Sequence, residues 1–226
     1  MKFENKSYSS NFSNPNPKIH FDKDNKSLII TTCWGHNVDS SPYIESILNF
    51  YSSKLKDRDF TSPFGSLDHL DFYENTLRTS ILMANQSFFK KNNSDELVSG
   101  MEVFVLIQKS NTLYIAQVGQ PHVLLKRGKS LNLIHTQPDL SCEYTNDKYE
   151  LPPLPSKLFG TNKNLDVHIS KIHCKKNDQL VLIKRSKVFP FNFTEKEEDI
   201  SLDSVSNYLV ANNVDLPFWL GILDIT

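Results

Sequence analysis

The chain has 226 residues and a nearly balanced charge, with 25 Lys and Arg residues against 26 Asp and Glu residues. A net charge of −1 argues against binding to nucleic acid or to an anionic membrane through a basic surface. Hydrophobic residues make up 38% of the chain, which is enough for one sizeable core.

The cysteines and the composition of the N-terminal residues indicate the cellular compartment in which the protein is expected. Cys33, Cys142 and Cys174 are odd in number and show no C-x-x-C spacing, which argues against a disulfide framework or a zinc ribbon. Residues 1–24 are polar and lack the apolar segment of a signal peptide. No apolar run approaches the roughly 20 residues of a membrane helix. We therefore expect a cytoplasmic protein without membrane insertion.

The N-terminal segment differs in composition from the rest of the chain. Residues 1–18 are rich in Asn, Ser and Pro, and we expect a loose arm or an irregular edge segment there. A single domain is then expected from residue 19 to residue 226. Its first predicted element is a short buried strand at Ser27–Thr32, which runs into a turn at Gly35.

Two amphipathic helices are predicted next. Ser41 is suited to cap the first, with Pro42 at its first position. Ser66 is suited to cap the second, which is longer and ends in the polar residues 90–94. Its apolar stripe comprises Leu70, Tyr73, Leu77, Ile81, Ala84 and Phe88. Ordinary core packing accounts for the apolar faces of both helices.

From Glu102 onward the apolar period becomes that of strands. Two hairpins are predicted, and a proline-rich irregular stretch comes after them. The predicted strands and helix are Val103–Ile107, Leu113–Val118, His122–Lys126, Leu131–Ile134, Leu165–Ile172, Leu180–Ile183, a helix at Ser201–Val210, and Trp219–Ile225. Antiparallel hairpins with segregated helices predict an α+β fold, most simply a sheet sandwich flanked by helices.

The stretch Leu113–Leu125 carries a resemblance to a known family. Gly119 separates two apolar runs and is followed by Gln120-Pro121-His122, which predicts a sharp turn at the rim of a sheet. This arrangement resembles the central motif of the metal-dependent type 2C (PPM-type) protein phosphatases, where Gly-Asp-Ser-Arg joins two strands. The similarity extends over most of the chain and implies a four-layer β-sandwich flanked by helices.

In that family, aspartates at strand ends hold two Mg or Mn ions, and a metal-bound water attacks the phosphoryl group. The resemblance places the corresponding positions of this chain at Asn16, Trp34, Gly35, Gln120, Arg185 and Asp215. Trp34 offers no oxygen ligand, and Arg185 would put a fixed positive charge where a metal ion should sit. Asp215 alone cannot replace the several carboxylates that two divalent cations need. The resemblance therefore implies a degenerate metal site, a pseudophosphatase without a metal cofactor.

We accordingly expect a catalytically inactive PPM-type domain that acts as a protein-binding, scaffolding or regulatory module. The alternative is a Mg- or Mn-dependent protein Ser/Thr phosphatase with a rearranged active site. That enzyme would need other carboxylates to converge, and the candidates are Asp22, Asp24, Asp39 and Asp215. A third hypothesis is a phosphate-sensing module that uses Arg185 without a metal.

The segment after Leu180–Ile183 carries the candidate contacts to a phosphate or a protein partner. These are the basic residues Arg185 and Lys187 and the phenylalanines Phe189, Phe191 and Phe193. Arg185 pairs readily with phosphate oxygens, or it fills the vacated metal site and pairs with a neighbouring carboxylate. The three rings form an exposed apolar ridge, or they pack under the following helix. The partner is expected to be a protein, which the sequence does not identify.

Overall fold

The structure is a computed structural model that describes residues 1–9, 15–36, 38–58, 61–144, 151, 153–186 and 200–225. The strands are β1 (Lys2–Tyr8), β2 (Lys18–Asp22), β3 (Ser27–Gly35), β4 (Ser99–Lys109), β5 (Thr112–Val118), β6 (His122–Arg127), β7 (Ser130–His135), β8 (His168–His173), β9 (Gln179–Lys184) and β10 (Phe218–Asp224). The helices are α1 (Ser41–Lys56), α2 (Phe72–Asn92), α3 (Ser141–Tyr144) and α4 (Leu202–Asn212). None of these helices is both long enough and apolar enough to cross a membrane.

The strands form two five-stranded antiparallel sheets. The first has the order β1-β10-β9-β6-β7 and the second the order β2-β3-β4-β5-β8. Each sheet belongs to its own compact unit. The first unit comprises residues 1–16, 120–156 and 174–226, and the second comprises residues 17–119 and 157–173. Our expectation of a single domain from residue 19 to residue 226 stays a prediction.

The first unit packs α4 against its sheet. α4 begins after Ser201, whose side chain accepts the Ser204 backbone N–H in a capping box. Val205 and Leu209 lie on the buried face of α4 and pack with residues of β9 and β10 such as Val181. The predicted helix at Ser201–Val210 is therefore confirmed, with its end two residues later.

The N-terminal residues form a regular strand where we expected a loose arm or an irregular edge. β1 pairs antiparallel with β10 from Lys2 to Tyr8. Its aromatic side chains contact those of β10, with ring centroids 6.4 Å apart for Phe3 and Trp219 and 5.1 Å apart for Tyr8 and Phe218. An edge strand needs only a few apolar contacts on one face, so a polar composition does not exclude one.

The second unit packs α1 and α2 on its sheet. Four residues of the predicted stripe of α2 are completely buried, namely Leu77, Ile81, Ala84 and Phe88. They share a core cluster with Ile47 of α1 and with β4. The stripe is confirmed because helical periodicity is a local property that the sequence displays directly.

The starts of both helices differ from the prediction, and at each start a carboxylate accepts a backbone N–H; the N-cap of α1 itself is Ser40, whose side chain makes no capping hydrogen bond. α1 begins at Ser41 itself, and the carboxylate of Asp39 accepts the Ser41 backbone N–H at 3.0 Å. α2 begins at Phe72 instead of after Ser66. There Asp71 accepts the Glu74 N–H, and Glu74 accepts the Asp71 N–H in return. This reciprocal capping box satisfies two N–H groups, which a serine six residues earlier could not do.

The predicted strands of the second unit are confirmed with shifted bounds. β4 and β5 form the expected hairpin around Ser110, and β8 starts at His168, later than the predicted Leu165. β2 was not predicted, because its five residues alternate too briefly to stand out. In the first unit, β6 and β7 pair around Gly128 as predicted.

Candidate functional site

The end of β3 is one of the positions at which the resemblance places a metal-binding aspartate, and the residue there is Trp34. The indole Nε1 of Trp34 donates a hydrogen bond to Oε2 of Glu102 at 3.0 Å. Glu102 lies on the neighbouring strand β4, opposite Thr32, and is only 1% exposed. A buried carboxylate is costly without a donor, so the indole N–H satisfies a group that would otherwise destabilise the unit.

Gly119 contributes to the same cluster. Its φ of +77° lies in the left-handed region, as expected of the predicted sharp turn. A Cβ on Gly119 would lie 2.6 Å from Cγ of Glu102, so the Glu102 side chain packs directly against the Gly119 backbone. The Gly119 carbonyl accepts a hydrogen bond from Gln117 Nε2 at 2.7 Å. The turn, the buried carboxylate and the indole thus form one packed group.

Gly35 completes this end of β3. Its φ is +85°, and a Cβ there would collide with the backbone carbonyl of Val98. His36, the next residue, donates its backbone N–H to the same carbonyl at 3.3 Å. The glycine that the family motif shares with this chain is therefore required here by the backbone, independently of any metal.

Arg185 comes directly after β9 in the first unit and is completely buried. Its Nη1 donates to the Leu209 carbonyl at 2.8 Å, and its Nη2 donates to the Asn213 carbonyl at 3.3 Å. Both acceptors belong to the C-terminal end of α4, where a positive charge is favourable, and the Leu209 carbonyl also accepts the Asn213 backbone N–H. The sequence predicted either a phosphate or a neighbouring carboxylate as partner. The hydrogen bonds described here go to backbone carbonyls, and phosphate binding by Arg185 stays a prediction.

The resemblance places Gln120 at the central aspartate of the family motif. Its Nε2 donates to Oδ2 of Asp139 and to the Arg185 carbonyl, both at 3.2 Å. Asp139 also accepts the backbone N–H groups of Ser141 and Leu154, each at 2.9 Å. Gln120 and Asp139 are both buried, so the amide is part of a network that fixes the backbone after β7.

His122 belongs to the same network. One ring nitrogen lies 3.0 Å from the Arg185 carbonyl, and the other lies 2.7 Å from Oγ1 of Thr136. The Arg185 carbonyl is therefore contacted by both Gln120 and His122. The backbone carbonyl of Arg185 is thus held by Gln120 and His122 at the start of β6, and its guanidinium is held by the end of α4.

Two buried carboxylates, Glu102 and Asp139, were missed by sequence reasoning. For Glu102 the signal was a single charged residue at the start of the apolar run Val103–Ile107. For Asp139 the only signal was an Asp after Pro138 in the irregular stretch, which favours a turn. Neither signal says which donor each carboxylate meets.

The remaining predicted metal-site positions are exposed. Asn16 is exposed, and residues 10–14 before it lie outside the described part of the chain. Asp215 is exposed, and its backbone N–H donates to Asn213 Oδ1 at 2.8 Å. The candidate contacts Lys187, Phe189, Phe191 and Phe193 also lie outside the described residues.

Two of the carboxylates required by the enzymatic alternative, Asp22 and Asp39, are engaged in local structure. Asp22 accepts the backbone N–H groups of Asp24 and Asn25 in the turn after β2. The hydrogen bond from the Ser41 N–H and that from Lys18 lower the pKa of Asp39 to about 2. Within the described ranges, no group of three or more His, Cys, Asp or Glu side chains could hold a metal ion.

The residues at the predicted metal positions do not fit a pair of divalent cations. Such ions require several oxygen ligands with negative charge. Trp34 supplies an N–H donor, Gln120 directs its amide N–H groups at a carboxylate and a carbonyl, and Arg185 supplies a positive charge. We derive no metal-dependent step from this donor set.

Solved structures resemble the whole chain, although no protein-family model and no curated protein sequence matches it. PppA, a key regulatory component of T6SS in Pseudomonas aeruginosa, matches with a TM-score of 0.60 and 14% identity over 99% of this chain and 97% of its own. The PPM Ser-Thr phosphatase MsPP from Mycobacterium smegmatis, in complex with cacodylate, matches with a TM-score of 0.63 and 10% identity over 100% and 99%.

A third similar structure is the catalytic domain of the serine threonine protein phosphatase PstP in complex with two manganese ions. It matches with a TM-score of 0.61 and 13% identity over 100% of this chain and 98% of its own. Identities this low show the fold alone. The chain has the PPM-type phosphatase fold, and the predicted fold class is confirmed: α+β, with two antiparallel sheets and helices.

Proposed function

We propose that this chain is a catalytically inactive PPM-type phosphatase-like domain that acts as a protein-binding, scaffolding or regulatory module. The observation that carries the proposal is the state of Arg185. Its guanidinium is completely buried and donates a hydrogen bond to the C-terminal end of α4, and the resemblance assigns this position to an aspartate of the family motif. Replacing an oxygen ligand by a fixed cation removes the charge balance that two divalent ions need.

Two further positions support the same proposal. Trp34 and Gln120 each donate hydrogen bonds to a buried carboxylate, Glu102 and Asp139 respectively. Substituted residues that are merely tolerated would be expected at the surface. These two side chains instead satisfy buried acceptors, so their role here is to stabilise the fold.

The binding or regulatory role rests on the fold and on one similar protein. PppA is a key regulatory component of T6SS in Pseudomonas aeruginosa, and its structure is similar to that of this chain. For this chain we propose a protein partner, without nucleic acid and in the cytoplasm. The proposed contact residues remain Arg185, Lys187, Phe189, Phe191 and Phe193. A direct contact at Arg185 would require its guanidinium to leave α4.

A thermal melt and a hydrolysis assay test the loss of catalysis. The purified chain is melted with and without millimolar manganese and assayed on a generic aryl phosphate, with the PstP catalytic domain as the active control. We expect no stabilisation by the metal and no turnover. Metal-dependent turnover would overturn the proposal and favour the rearranged Mg- or Mn-dependent Ser/Thr phosphatase. Glu102→Gln and Asp139→Asn would then show which buried carboxylate the activity needs.

A second experiment tests the protein-binding role. The tagged chain is used to isolate partners from its source cells, and each partner is then purified and titrated against the chain. We expect the triple substitution of Phe189, Phe191 and Phe193 to Ser to abolish binding. The matched control replaces the exposed apolar residues Leu97 and Val214 by Ser and should bind normally. Equal binding by both variants would move the contact surface away from the phenylalanine ridge.

A further inference from the structure

Each sheet of the structure has two edge strands, and β7 differs from the other three. The edges are β1 and β7 in the first sheet and β2 and β8 in the second. An edge strand presents unpaired N–H and C=O groups that another strand can join. Natural proteins usually protect such edges with charged side chains, above all lysine.

The other three edges carry this protection. β1 contains Lys2 and Lys6, β2 contains Lys18, and β8 contains Lys171. Each lysine except Lys2 forms an ion pair outside its own strand, with Asp203, Asp39 and the pair Asp71 and Glu74 respectively. The sequence of β7 is Ser-Leu-Asn-Leu-Ile-His, without a Lys, Arg, Asp or Glu.

β7 is also the place where the core of the first unit reaches the surface. Leu133 is directly opposite the buried Leu124 of β6, so both side chains lie on the same face of the sheet. Leu124 belongs to the core cluster under α4, and Leu131 packs against that cluster. Leu133 continues the same apolar face but is 51% exposed. Among the residues that the structure describes, none covers this face at the edge of the sheet.

A bulge sets the length of the regular edge. The register shifts between Leu124, which is opposite Leu133, and Val123, which is opposite His135. Ile134 is left without a partner on β6 and is 36% exposed. Regular pairing therefore runs from Ser130 to Leu133, and a second exposed apolar side chain lies beside it.

We propose that β7 pairs antiparallel with β7 of a second copy of this chain across a two-fold axis. An axis at Asn132 places Leu131 of one copy opposite Leu133 of the other, so each exposed Leu133 gains an apolar neighbour. No like charges meet, because the strand has none. The contact is self-complementary and closed, so it forms a dimer and leaves no further edge on that side.

Concentration-dependent light scattering after gel filtration tests this assignment. The wild-type chain is expected to pass from monomer to dimer between low micromolar and several hundred micromolar concentrations. Leu133→Lys should raise the dimer dissociation constant at least about tenfold, because it removes the apolar contact and brings two positive charges together across the axis. The matched control is Val214→Lys, at an exposed apolar residue of the same unit outside any strand, and it should dimerise like the wild type.

Hydrogen exchange of the unmodified protein gives a readout that needs no variant. Amides of residues 130–134 should become protected at high concentration and lose that protection on dilution. A wild type that stays monomeric at all concentrations would overturn the proposal. So would a dimer that Leu133→Lys leaves intact, or one whose concentration-dependent protection lies outside β7.

Discussion

Replacing Arg185 by Met tests the role of the buried cation at the end of α4. The substitution keeps a long apolar side chain in the core and removes two donated hydrogen bonds together with the charge. The 2.8 Å bond to the Leu209 carbonyl is the stronger one. The 3.3 Å bond to the Asn213 carbonyl contributes less.

The expected cost comes from these contacts. A hydrogen bond from a charged donor contributes about 1.5–3 kcal/mol, and a cation at a helix C-terminus adds up to about 2 kcal/mol. The Leu209 carbonyl also accepts the Asn213 backbone N–H at 3.3 Å, so it keeps one partner in the variant. We therefore expect a loss of about 2–4 kcal/mol in the free energy of unfolding, or about 4–16 °C in Tm for a chain of this length.

Urea denaturation followed by circular dichroism measures this loss, with Arg78→Met as the matched control. Arg78 donates a single hydrogen bond to the Gly65 carbonyl at a half-buried site, so its loss should stay below about 1 kcal/mol. Hydrogen exchange should show the last turn of α4 opening in the Arg185 variant. A stability within about 0.5 kcal/mol of the wild type would refute the capping role. Stabilisation by inorganic phosphate in the wild type alone would then favour the phosphate-sensing hypothesis.

Further predictions concern the Gly119 turn and one ion pair. Gly119→Ala should lower the free energy of unfolding by about 2–4 kcal/mol, because the added Cβ would meet the Glu102 side chain. Gly128→Ala should lower it by about 1–2 kcal/mol in the same urea assay, because a Cβ there meets no atom within 4 Å. Equal losses would contradict packing of Glu102 on the turn. Arg127→Ala should cost about 2–4 kcal/mol, because it leaves the buried Asp178 carboxylate without its bidentate partner, and a cost below about 1 kcal/mol would contradict this. Burial raises the pKa of Asp178, but the hydrogen bonds from Arg127 and from the Lys175 backbone N–H, together with the charges of both residues, outweigh burial and hold this pKa below its ordinary value. The stability that this lowered pKa contributes is present above the ordinary Asp pKa of about 4 and is lost as pH falls through the lowered pKa. Urea melts between about pH 2 and pH 7 should therefore show that acid reduces the free energy of unfolding less in Arg127→Ala than in the wild type.

The hairpin β4–β5 and the stripe of α2 could be predicted because each depends on neighbouring residues. The apolar run Leu113–Val118 and the helical spacing from Leu77 to Phe88 are each visible within one short window. Helix starts were missed because several polar residues competed for each cap. At α2 the cap is formed by Asp71 and Glu74, which differ from the other polar residues only in that together they accept two backbone N–H groups.

For the candidate site, the resemblance named positions but could not name their contacts. The resemblance located Trp34, Gln120 and Arg185 through the strands that precede them. What each side chain now does depends on partners from 19 to 68 residues away, such as Asp139 and Glu102. Long-range pairings of this kind are set by tertiary packing, and no local pattern encodes them.

The two tryptophans of the chain provide one optical probe for each compact unit. Trp34 belongs to the second unit and stands half-buried beside a carboxylate, whereas Trp219 is buried in β10 of the first unit. Trp34→Phe and Trp219→Phe would each leave a single emitter with a different spectrum. Superimposable denaturation curves from the two variants would mean that both units unfold as one cooperative block, and separate curves would mean that each melts independently.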